Sequence, residues 1–86
     1  MQISSKIKIC GIRQQMIAQA AQELGASHLG FILYEPSPRC ISLRSALEIM
    51  DSLEQPRPSM VLVDVAPSSS KLSSCNHSAI DFFQIH

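Results

Sequence analysis

Four polar side chains stand where this sequence passes from apolar strand to turn. Cys10 closes the alternating run Lys6-Ile7-Lys8-Ile9-Cys10 and is followed by Gly11. Arg39 follows Pro36-Ser37-Pro38. Gln84 and His86 lie two residues apart in Phe82-Phe83-Gln84-Ile85-His86, which puts them on one side of a strand. An ionised thiol is a nucleophile and a base. A guanidinium fork suits a planar carboxylate, and the two prolines before it restrict its backbone. Each residue also has a plainer reading. Cys10 can pack as a small hydrophobe, Arg39 can be a solvated loop residue, and a terminal His86 can simply face water. Lys8 alternates with Ile7 and Ile9, so it points either inward or to solvent, and a structural ion pair is expected of it. Gly11 permits a tight turn.

The remaining reactive residues carry less. Cys10, Cys40 and Cys75 make an odd count with no zinc or CxxC spacing, so free thiols in a cytoplasmic protein are expected. Cys75 and His77 read as surface residues, and His28 as a strand start. The serines after Pro67 lack the glycine of a phosphate nest. No metal or organic cofactor is implied.

Length and charge narrow the classes. The 86 residues suffice for one small domain. Seven basic and seven acidic residues cancel, which argues against a nucleic-acid or anionic-membrane surface. There is no Trp and few aromatics for base stacking. No apolar run approaches the roughly 20 residues that span a bilayer, and the first residues lack a signal-peptide core.

The elements that position these residues follow from periodicity. Lys6 to Ile12 is a strand with one apolar face. From Arg13 to Leu24 the stripe Met16, Ile17, Ala20, Ala21 and Leu24 predicts a helix that buries this face, with Gly25 as its C′ glycine. His28 to Tyr34 is the nearly continuous apolar run of a strand covered on both faces. Ser42 caps a second helix with the stripe Leu43, Ala46, Leu47, Met50 and Leu53. Met60 to Val65 is a third strand, a weak helix follows around Lys71 to Ser78, and Asp81 to His86 is a fourth strand. Alternation of this kind implies parallel pairing and right-handed crossovers. An open four-stranded sheet and half of a barrel fit the periodicity equally well.

Three strings choose between them. Lys6-Ile7-Lys8-Ile9-Cys10-Gly11-Ile12 resembles the KICGI strand that opens phosphoribosylanthranilate isomerases. Gly30 to Ile41, with Ser37-Pro38-Arg39, resembles that family's second strand and SPR loop. Gln84-Ile85-His86 resembles the QLH of its fourth strand. The resemblance implies an α/β fold, the N-terminal half of a (β/α)8 TIM barrel with four parallel strands and three intervening helices. Residues 1–86 would be a single partial domain. It implies an Amadori rearrangement of N-(5′-phosphoribosyl)anthranilate in tryptophan biosynthesis. Cys10 matches the family's general base, on the rim where barrel active sites are built. Arg39 matches the arginine that meets the anthranilate carboxylate, and Gly11, Gln84 and His86 match substrate-facing positions.

The same resemblance sets limits. The family's general acid lies beyond the fourth strand, which excludes Asp64, and its phosphate loops follow the seventh and eighth strands. The chain alone is therefore expected to lack useful isomerase activity. A half-barrel exposes two strand edges and should pair with the missing C-terminal half, self-associate or aggregate. Arg13 stands where many members have Thr, Gln14-Gln15 where the helix start is usually acidic, and Cys40 where an aromatic is common. The competing readings are a non-catalytic half-barrel remnant or interaction module, and another barrel enzyme acting on a phosphorylated sugar.

Overall fold

The computed structural model describes residues 7–65, 73 and 78–85. Its elements are β1 (Lys8–Cys10), α1 (Gln15–Glu23), β2 (His28–Ile32), α2 (Leu43–Ser52), β3 (Ser59–Asp64) and β4 (Phe82–Ile85). The strands form one sheet in the order β1-β2-β3-β4, and every neighbouring pair is parallel. The weak helix expected around Lys71 to Ser78 falls mostly outside the described residues, as do Cys75, His77 and His86.

Sequential parallel order with right-handed crossovers puts the helices on one face. That face holds the core. Leu29, Phe31, Met60 and Leu62 are fully buried with Ala18, Ala46 and Met50. The alternate residues Lys8, Cys10, His28, Gly30, Val61, Val63, Phe82 and Gln84 therefore line the opposite face. This second face is concave. Lys8 Nζ on β1 donates to Gln84 Oε1 on β4, across three strand spacings of about 4.8 Å each. A lysine cannot span that distance on a flat sheet. The rings of His28 and Phe82, two strands apart, also meet, with centroids 6.1 Å apart. The curl selects the half-barrel over the open sheet.

Local chemistry sets the helix ends. Ser42 accepts from Ser45 N at 3.1 Å and caps α2. Gly25 closes α1 with φ +89°. Its N–H donates to Gln22 O and that of Ala26 donates to Ala21 O, the paired bonds of a Schellman end.

The buried face of α1 differs from expectation. The helix buries Ala18 and Ala21, while Met16 is 75% and Leu24 81% exposed. The small residues let the helix lie close on the sheet. The larger ones flank that stripe, where α1 over the edge strand has a helical neighbour on one side only among the described residues. Lys8 also differs: its partner is the neutral Gln84 amide, not a carboxylate.

Candidate functional site

Parallel strands bring their C-terminal ends to one rim, and Cys10 stands there at the end of β1 with its residue exposed. Cys10 and Gly30 are register partners on β1 and β2. After Cys10 the chain turns sharply at Gly11, with φ +86°, and the N–H groups of Gly11 and Ile12 both donate to Gly30 O at 3.0 Å. Ile12 then turns inward and is buried.

The loop after β2 folds back onto its own strand. Ser37 N donates to Tyr34 O, Cys40 N to Ser37 O, and Ile41 N to Ile32 O. Cys40 bridges Ile32, and its half-buried thiol donates to Leu33 O at 3.7 Å. Ser37 Oγ accepts from Arg39 N at 3.2 Å. This return swings Arg39 over Gly11. A Cβ on Gly11 would meet Arg39 Cδ at 2.5 Å and Nη1 at 3.0 Å. The guanidinium reaches the Cys10 peptide, with Nη1 3.5 Å from its oxygen. The structure thus brings the thiol residue and the arginine to one rim.

Gln84 lies on β4 opposite Val63, half-buried on the same concave face as Cys10. Asp64 alternates to the helix-facing side, is 2% exposed, and accepts from Val65 N through Oδ1 at 2.7 Å. Two contributors were not evident as site residues in the sequence. Gly30 is hidden within an apolar run, yet a Cβ there would stand 2.8 Å from Cys10 Sγ. Arg13 donates from Nη1 to Pro38 O at 3.1 Å and braces the loop that carries Arg39. Among the described residues no three His, Cys, Asp or Glu side chains cluster as metal ligands. No helix among them is long and apolar enough to cross a membrane.

No protein-family profile matches the chain. It is 42% identical over 82 residues to the N-(5′-phosphoribosyl)anthranilate isomerase of Chloroherpeton thalassium, an alignment covering 94% of this chain and 37% of that protein. A crystal structure of phosphoribosyl anthranilate isomerase in complex with reduced 1-(o-carboxyphenylamino)-1-deoxyribulose 5-phosphate superposes with a TM-score of 0.86 at 32% identity, over 94% of this chain and 42% of that one. The phosphoribosyl anthranilate isomerase of Thermotoga maritima superposes with a TM-score of 0.86, over 94% of this chain and 40% of that one. The chain spans about two-fifths of the length of these relatives.

Proposed function

The chain is a homologue, over most of its length, of phosphoribosylanthranilate isomerases, and we propose that it supplies the base-bearing part of an isomerase acting on N-(5′-phosphoribosyl)anthranilate. In this reaction an acid protonates the furanose oxygen and the C1′–O bond breaks, leaving an iminium. The Cys10 thiolate takes the proton from C2′. The electron pair released from that C–H bond moves toward nitrogen, and the resulting enolamine tautomerises to the aminoketose phosphate. Arg39 grips the anthranilate carboxylate. Gly11 leaves room for that arginine, Gln84 faces the substrate from β4, and His86 matches a substrate-binding position by sequence. The supporting observation is the reach of the Arg39 guanidinium to the Cys10 peptide oxygen. One small molecule bearing a carboxylate near its reacting carbon could touch both groups.

The general acid and the phosphate loops belong, in this proposal, to the rest of a complete barrel. An absent acid typically costs about 10²–10⁴ in rate, so residues 1–86 assayed alone should turn over at least that much more slowly than the graft. The remaining strands and helices of such a barrel, on the same polypeptide or another, would cover Phe82 and Ile85 on β4 and Met16 and Leu24 on α1, all exposed here. The free thiols of Cys10 and Cys40 suit a reducing, cytosolic setting.

The test is a graft. Residues 1–86 replace the matching segment of the Chloroherpeton thalassium enzyme, and turnover of N-(5′-phosphoribosyl)anthranilate is measured. The graft is expected to be active, and Cys10→Ala to lower kcat by about 10² or more. Turnover that survives Cys10→Ala overturns the assignment.

A further inference from the structure

We infer that Gly30 is a positioning residue for the Cys10 thiol: the side chain missing from β2 leaves the space in which the sulfur is held. This inference rests on Cys10 being the base. A Cβ built on Gly30 would lie 2.8 Å from Cys10 Sγ, closer than real Cβ atoms come to any neighbour. It would also lie 3.3 Å from Cys10 Cα and 3.4 Å from Cys10 Cβ. The sulfur is therefore the atom that a side chain at position 30 would have to displace. The remaining contacts are tight but tolerable.

The same residue holds Cys10 from a second direction. The Gly30 carbonyl accepts from both Gly11 N and Ile12 N at 3.0 Å, so it anchors the turn that begins at the thiol's own residue. Gly30 is buried, and its backbone is fixed on both sides by pairing with Cys10 and Val61. One residue thus holds the main chain after the sulfur and leaves the space beneath it. Its φ is not in the left-handed region, since the positive-φ glycines are Gly11 and Gly25. Backbone freedom is not the reason for glycine here; close approach is. A proton transfer from carbon needs the base within about 3.2 Å of its target. A sulfur turned to another staggered rotamer leaves that range.

The test is a double-mutant cycle in the grafted full-length enzyme, with peptide mapping to follow Cys10 and Cys40. Gly30→Ala is expected to lower the melting midpoint by about 2–4 °C. In a Cys10→Ala background, where the sulfur is gone, the same substitution should cost less than half as much. Should Gly30→Ala fail to fold, the double variant should recover a cooperative transition. Alkylation by iodoacetamide gives a second reading, with Cys40 as the internal reference. Gly30→Ala should change the Cys10-to-Cys40 rate ratio by about threefold or more, because the thiol changes its surroundings. Equal melting costs in both backgrounds, an unfolded double variant, or an unchanged rate ratio would each overturn the inference. None of these readouts depends on turnover. Their failure therefore leaves the role of Cys10 to the turnover of the grafted enzyme, and loss of that role leaves these measurements intact.

Discussion

Lys8 and Gln84 sit on the two outermost strands of the sheet, and their side chains are hydrogen-bonded to each other across its hollow. The amide is half-buried and the ammonium exposed. The contact joins the first strand of the chain to the last, over two strands that lie between them.

Replacing Lys8 by Met removes this link while keeping the apolar stem. An exposed hydrogen bond to a charged donor contributes about 0.5–1 kcal/mol after solvent screening. Urea unfolding should show that loss, and amide exchange in β4 should rise more than in β2. Uniform protection across the sheet would contradict a bracing role.

Gly11→Ala combines two penalties. A residue with a Cβ at φ +86° costs about 1–2 kcal/mol, and the new methyl meets Arg39 Cδ at 2.5 Å. The arginine must leave. In the grafted enzyme, KM for N-(5′-phosphoribosyl)anthranilate should rise about tenfold or more, equivalent to 1.4 kcal/mol of binding. An unchanged KM would place the arginine outside the substrate site.

Arg39→Lys keeps the charge and removes the fork. If the guanidinium meets a planar carboxylate in two-point fashion, the lysine variant should bind weakly, within a few-fold of Arg39→Ala. Titration of the grafted enzyme with the reduced product analogue reads this directly. Full affinity in the lysine variant would show that only a point charge is needed.

Ser42→Ala removes the acceptor for Ser45 N. The helix should lose about 0.5–2 kcal/mol, and Ser42→Gly only a few tenths. Denaturant midpoints give the comparison. Turnover per folded molecule in the graft should stay unchanged, since this cap lies at the start of α2 and touches neither Cys10 nor Arg39.

What could be read from the sequence was the local chemistry. A serine ahead of an apolar stripe and a glycine after one carry their reason within a turn of chain, and Ser42 and Gly25 behave accordingly. The strands were legible from apolar runs. The KICGI and SPR strings pointed to two residues that the fold brings to one rim. Tertiary packing was less legible. Size misled in α1, where periodicity marked Met16 and Leu24 but the sheet accepts only Ala18 and Ala21. Hollow and flat sheets share one alternation, so the curl appears only in pairs such as His28 with Phe82. Gly30 could not be singled out, because its contribution is an absent methyl beside an atom 20 residues earlier.

The Arg39 guanidinium rests on main chain, not on the sulfur. Its partner is the peptide oxygen of Cys10, which any amino acid at that position would present. If Arg39 and Cys10 have the roles proposed above, grip and chemistry are uncoupled at their point of contact. On the roles proposed for these residues, a grafted enzyme whose tenth residue is alanine should still receive the anthranilate end of the substrate and hold it unreacted. Such a protein would be a reversible trap for the unrearranged N-glycoside, suited to capturing the ground state for diffraction or calorimetry.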